Sequence, residues 1–316
     1  MTRFNTKTPG LLFLCMLFMV VSCKSGIKGE SSILLKEEAR WTRQQIVDDL
    51  VLYSWVGHYY EPYDSYQTIR VLALPKKSKT LRLELFDILP EDSLSQAVTI
   101  DSSIVAAING TYFEKGLTRG SSTAYLKINT ILIDSVEVDA AHQFGWKHEG
   151  ALAFTKDQMK IIRGNNQVYG KAKEENIISG SPILIEEGKP VGAHFVKSPT
   201  RDLHQLHYEN PERHQGVRHP RTAIALTEKE VLLITVDGRS SVAAGMSAKE
   251  LTEFIQTYFP VQEALNIDGG GSTTMWIATT KVPQVNGVVN YPSDNRKQDH
   301  LGQRLLRNAL VVKKIN

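Results

Sequence analysis

Residues 81–86 alternate leucines (Leu81, Leu83, Leu85) with Arg82 and Glu84, the two-residue period of a strand with one face in a core. Residues 68–74 form a second β-type run. The basic stretch 75–79 between the two reads as the solvated tip of a hairpin. Residues 103–108 are almost continuously apolar, as expected of a strand covered on both faces. Shorter runs predict strands at 124–128, 131–138, 151–154 and 159–162, and a hairpin in which 183–185 and 190–191 flank Glu186, Glu187, Gly188 and Lys189. Residues 37–52 scatter Trp41, Ile46, Val47 and Leu50 among charges, which predicts a short helix or turn. Residues 194–219 are polar and carry His194, His204, His207, His214 and His219; without a compact zinc-ligand spacing they read as a solvated loop on the substrate side.

The last third has the clearest pattern. Residues 231–236 form an apolar strand ending in Asp237-Gly238-Arg239-Ser240. Ser247 and Glu250 have the spacing of a capping box, Leu251, Phe254, Ile255 and Tyr258 follow at helical spacing, and Pro260 marks the stop. A second strand, 264–267, ends in Asp268, and 273–278 reads as another. Strand, helix, strand predicts a βαβ unit that brings Asp237 and Asp268 to one sheet edge, where ligands of such sheets bind. Were the two strands adjacent, their backbones would lie about 5 Å apart. The expected fold class is α+β: a mixed β-sheet core with flanking helices and a C-terminal βαβ unit.

The N-terminus changes the picture at one end. Arg3 and Lys7 precede a short apolar stretch, 11–21, too brief to span a bilayer and suited to a signal peptide. Val20-Val21-Ser22-Cys23 resembles a lipobox, so residues 1–22 are expected to be removed, Cys23 to be lipidated, and 23–40 to tether a domain at 41–316. The expected location is the bacterial cell envelope, outside the cytoplasm, with the membrane reached through the lipid. Cys15 and Cys23 are the only cysteines, which leaves no thiol for a disulfide, a metal or a nucleophile in the domain. Lysine and arginine total 37 against 34 acids, a balance that gives no electrostatic case for nucleic acid.

The densest candidate chemistry is Asn266-Ile267-Asp268-Gly269-Gly270-Gly271-Ser272-Thr273-Thr274. Three glycines are kept where backbone bends sharply or something approaches closely, and their freed N–H groups can cradle an anion beside the carboxylate; a tight turn capped by Asp268 is the alternative. Asn109-Gly110, at the end of the buried 103–108 run, fits a turn or a pocket wall equally. These segments, together with 107–113, 179–182, 219–225, 236–239, 245–247 and 288–294, resemble the phosphodiester glycosidase family, in order along residues 68–312.

The resemblance implies a hydrolase that cuts the glycosidic C1–O bond of a sugar 1-phosphodiester, N-acetylglucosamine-like, to leave free sugar and a phosphomonoester. It implies Asp237 and Asp268 as catalytic carboxylates. Substrate would be bound by Asn109, Gly110, Arg221, Gly238, Arg239, Gly269, Gly270, Gly271, Ser272 and Thr273, with Asn290 and Asp294 at the rim. Guanidinium groups match phosphate oxygens bidentately, which suits Arg221 and Arg239, though Arg221 also reads as an ion-pair partner of an aspartate. No cofactor is required by the sequence. A divalent cation such as Ca or Mg on Asp237, Asp268 and Asn109 stays open, as do a metal-dependent phosphodiesterase cutting P–O and a non-catalytic surface lipoprotein that binds sugar phosphates or glycans.

Overall fold

The computed structural model describes residues 1–2, 40–113, 123–136, 145–192, 194, 196–197, 202–278 and 285–315. Contacts divide the chain into Met1–Glu30 and Ser31–Asn316, and the fold below is that of the second unit. All but the first two residues of the expected signal peptide, the lipidation at Cys23 and all but the last residue of the tether lie outside the described residues.

The domain starts with β1 (Thr42–Val47), β2 (Leu50–Tyr60), β3 (Ser65–Pro75) and β4 (Leu81–Ser93), then α1 (Leu94–Thr99) and β5 (Ile104–Asn109). Short strands follow: β6 (Leu126–Ile128), β7 (Ile131–Asp134), β8 (Gly150–Phe154) and β9 (Met159–Arg163), then α2 (Asn166–Lys171), β10 (Asn176–Gly180), β11 (Ile183–Glu186) and β12 (Lys189–Pro190). The C-terminal part holds α3 (Pro211–Gly216), β13 (Arg221–Leu226), β14 (Glu230–Val236), α4 (Ala248–Tyr258), β15 (Glu263–Asn266), β16 (Met275–Ile277) and β17 (Leu305–Lys314).

These strands make three sheets, ordered β1-β2-β3-β14-β13-β15-β11-β12, β7-β6-β10-β8-β9 and β16-β5-β17-β4. Period-two patterning explains how they stack. Along β3, β13 and β14, Ile69, Val71, Ala73, Ala223, Ala225, Leu232 and Ile234 turn to one side and pack with Leu251, Phe254, Ile255 and Tyr258 of α4. The alternate residues Leu72, Leu74, Ile224, Leu226, Val231 and Leu233 face Leu83 and Leu85 of β4, Ile108 of β5 and Leu152 of β8. On the far side of the smaller sheet, Leu94, Ala97 and Val98 of α1 cover Ala107, Trp276, Ala309 and Val311. The domain is therefore helix, large sheet, two small sheets, helix, with strand far outweighing helix.

Three expectations change. The described part of 37–52 is a hairpin of β1 and β2, closed by Asp49 in the left-handed region at φ 64°. Here Ile46 and Leu50 bury while Gln45 before them and Asp48 between them stay toward water, a strand pattern too short to outvote the charges by sequence. The basic stretch 75–79 is not a hairpin tip: it carries the chain from the large sheet (β3) to a small one (β4). The βαβ unit exists with its strands parallel but not adjacent, because β13 lies between β14 and β15 and pairs antiparallel with both. The described ladders are antiparallel throughout, and the domain is more strand-rich than a mixed α+β core.

Candidate active site

The ends of β14 and β15, the start of β13 and the end of β5 meet at one edge of the stacked sheets. Asn109 locks them together. Its side-chain amide donates to the backbone oxygens of Asp268 at 2.8 Å and Gly110 at 3.1 Å. Its oxygen accepts from the Thr222 hydroxyl at 2.7 Å and the Thr274 N–H at 3.1 Å. All of its hydrogen-bonding capacity is thus used inside the fold, and it is fully buried, so it positions the Asp268 loop.

The three glycines have separate reasons. A Cβ on Gly269 would stand 2.7 Å from the Pro220 carbonyl oxygen. Gly270 is left-handed at φ 61°, and a Cβ there would be 2.9 Å from Nη2 of Arg239. A Cβ on Gly271 would collide with Oδ1 of Asp294 and Nη2 of Arg304. The glycines let two arginines and an aspartate lie against the loop backbone. The loop's N–H groups are largely spent internally: Gly269 donates to Oδ1 of Asp268 at 2.9 Å, Gly270 to Pro220 at 2.8 Å, and Ser272 to Gly269 at 3.1 Å. Those three N–H groups are thus not free for the expected cradle, and the loop's neighbours are the side chains of Arg239, Arg304 and Asp294.

Asp268 keeps a face toward solvent. Its pKa is raised above the ordinary aspartate value, mainly by burial, against the lowering effects of the Ser272 hydroxyl, Arg304, Lys147 and the Gly269 N–H. Arg304 pairs with Asp294 at 2.6 Å, reaches the Ser272 hydroxyl at 3.4 Å and keeps its buried Nε without a partner. Arg239 lies against Gly270 and donates to the Ser293 hydroxyl at 3.4 Å. Its pKa is lowered by burial and then by Arg304. Two guanidinium groups therefore act on one carboxylate. On another flank Lys147, paired with Glu209 at 2.7 Å, sits over the ring of Tyr112 at 5.5 Å; the Tyr112 hydroxyl donates to the Ser181 carbonyl at 2.8 Å.

Asp237 is built differently. It is 2 % exposed, and Arg70 donates to its Oδ2 at 3.1 Å. Oδ1 accepts from the Asn290 amide at 2.8 Å, and the Tyr291 N–H lies 3.2 Å from both oxygens. Burial raises its pKa, opposed first by Arg70. Asn290, expected at the rim, is fully buried: it also donates to the Thr273 carbonyl at 3.0 Å and accepts from the Met275 N–H at 2.7 Å, tying 288–294 to the glycine loop. Asp294 does lie at the exposed rim. Gly238 packs on Pro220, where a Cβ would be 2.8 Å from the proline nitrogen, and Gly110 packs on Asn308. Thr273 is buried against Thr222 at 3.3 Å.

Arg221 is also interior. It donates to backbone oxygens of Met246 at 2.8 Å and His214 at 2.7 Å, holding the 214–217 segment on the sheet edge, and pairs with neither aspartate. Burial lowers its pKa to about 10. Residues 211–217 are thus partly a helix, α3, docked on the sheet edge, where the pattern predicts a solvated loop. The donor set at Asp237, Asp268 and Asn109 does not suit a divalent cation: Asp237 is neutralised by Arg70, the Asn109 oxygen is occupied, and Asp268 faces cations. Sequence reasoning missed Arg304, Arg70, Lys147 and Tyr112. Arg70 carried a signal, a charge inside an apolar strand that demands a buried partner, and Tyr112 sits in the 107–113 segment that resembles the family.

The phosphodiester glycosidase family profile matches residues 102–313. No curated protein sequence matches the chain. The fold resembles the zebrafish N-acetylglucosamine-1-phosphodiester α-N-acetylglucosaminidase catalytic domain, solved auto-inhibited by its pro-peptide. The TM-score is 0.60 at 16% identity, over 87% of this chain and 86% of that one. It also resembles a hypothetical protein from Synechocystis, with a TM-score of 0.54 at 12% identity over 88% of this chain and 64% of that one.

Proposed function

Since the chain belongs to the phosphodiester glycosidase family, we propose that it hydrolyses the glycosidic C1–O bond of a sugar 1-phosphodiester, with an N-acetylglucosamine-like sugar, releasing free sugar and a phosphomonoester. One observation carries this reading: the half-buried Asp268 lies within electrostatic reach of the guanidinium groups of both Arg239 and Arg304. Planar guanidinium pairs suit the diester phosphate, and Ser272 adds a hydroxyl beside them. With phosphate held there, Asp268 is the group near the anomeric carbon. It acts as nucleophile or as base for water; the C1–O electron pair leaves with the phosphate and the oxygen of water ends on C1. A phosphate leaving group needs little acid assistance, so one open carboxylate suffices. Asp237 then serves as a positioning residue, through Asn290 and the glycine loop. The sugar is suggested by the name of the zebrafish relative, and the place of action, the cell envelope, by the lipobox-like sequence at Cys23.

The test is incubation with an α-N-acetylglucosamine 1-phosphodiester, with products read by mass spectrometry, with and without chelator. Free N-acetylglucosamine that persists with chelator is the expected result. Sugar 1-phosphate would mean P–O cleavage, and no product would leave a binding role.

A further inference from the structure

Arg239 has a second face. It helps line a narrow recess of about 40 Å³, together with Gly238, Ser240, Tyr291, Ser293 and Arg296. A single water needs roughly 10–15 Å³ of such space, so the recess exceeds one water and suits a tetrahedral oxyanion. Most of its polar walls carry donors. Ser240 Oγ is buried and has no hydrogen-bond partner, although the Ser240 backbone is tied into a tight turn with Ala243 at 3.1 and 3.3 Å. Ser293 contributes a second hydroxyl. Arg239 holds the left-handed conformation at φ 65°, a strained state for a side-chain-bearing residue and one that recurs at ligand sites.

The charges in the recess agree. Asp237 also lines it, but its oxygens are engaged by Arg70, Asn290 and Tyr291. Lys297 lines it too, with Asp299 as its electrostatic neighbour. After burial, Arg304 and Arg296 both push the Arg239 guanidinium toward its neutral form, which places each of them within reach of Arg239. Asp294 is the carboxylate set against them at the rim, and it is paired with Arg304. A single phosphate between Arg239 and Arg304 would leave Arg296 and the Ser240 hydroxyl unused.

We propose that this recess is a second oxyanion subsite, filled by a phosphate carried on the alcohol side of the substrate. The preferred substrate is then a glycosyl phosphodiester whose aglycone bears another phosphate, rather than a neutral alcohol. The inference rests on the glycosidase reading for its orientation, with the sugar at Asp268 and the aglycone running past Arg239.

Two synthetic diesters test it, the 6-hydroxyhexyl and the 6-phosphohexyl ester of α-N-acetylglucosamine 1-phosphate. The phosphorylated one is expected to have a KM about 10-fold lower at similar kcat, an advantage that Arg296→Gln and Ser240→Ala each remove while turnover of the hydroxyl form is kept. Equal KM values, or an Arg296→Gln effect of the same size on both esters, overturn the subsite and leave the glycosidase standing. Calorimetric titration of both esters into the protein is run alongside. If neither ester is cut, tighter binding of the 6-phosphohexyl ester that is lost in Arg296→Gln supports the subsite while the catalytic reading fails. Equal binding overturns the subsite.

Discussion

Asp237 and Asp268 end parallel strands on one sheet edge, and their surroundings give them different work. Asp237 has spent both oxygens on Arg70, Asn290 and a backbone N–H, whereas Asp268 is half-buried among cations. Asp268→Asn is expected to lower kcat by at least about 100-fold with the unfolding midpoint little changed, as measured by steady-state kinetics beside denaturant titration. Asp237→Asn is expected to act through stability: it leaves the Arg70 charge buried and unpaired, at a cost of about 3–5 kcal/mol. The double variant Arg70→Met/Asp237→Asn should recover part of that loss in the same titration. Because the raised pKa of Asp268 must be passed before it ionises, the acid limb of kcat/KM should fall above the ordinary 3.8. A pH–rate profile whose acid limb lies at or below that value would argue against Asp268 as the working carboxylate.

Among the elements, α4 shows what local sequence can specify. Ser247 accepts from the Glu250 N–H while the Glu250 carboxylate accepts from the Ser247 N–H, the expected capping box, and the predicted apolar face lies on the large sheet. Ser247→Ala should cost about 1 kcal/mol in chemical denaturation and leave KM unchanged, since the Ser247 side chain bonds the Glu250 N–H within the cap. Strand β13 shows the opposite. Residues 221–226 stand out as a motif, yet nothing local places them between β14 and β15, because strand order is set by which edges pair after collapse. That insertion puts the backbones of the two aspartates about 10 Å apart rather than one strand spacing. It also sends Arg221 inward to backbone carbonyls rather than outward to a ligand.

At the scale of the molecule, the site edge carries groups whose pKa values burial moves away from their ordinary ones. Burial and neighbouring cations push His214 far below 6.5 and His219 down to about 3. Unfolded histidines take up protons from about 6.5 downward while these stay neutral, so the unfolded chain binds more protons and stability falls as pH drops from about 6.5 toward 3. Asp237 and Asp268 act in the reverse sense: their folded pKa values are raised, and the stability of their neutral forms is lost as pH rises through those values. Unfolding midpoints in urea across this range should decline on the acid side of 6.5, and a His214→Gln variant should flatten part of that decline.

The sequence by itself determined many of the individual strands, the capped helix, the arrival of both aspartates at one edge and the sharp glycine turn beside Asp268, because each depends on short-range periodicity or on a backbone that only glycine allows. Tertiary structure alone decided that Asp237, Asn109, Asn290 and Arg221 turn inward, and that Arg304, distant in sequence, lies over Gly271 beside Asp268. Those roles depend on which donors and acceptors are brought together across sheets and on how much water remains around them. Neither is written in residue spacing.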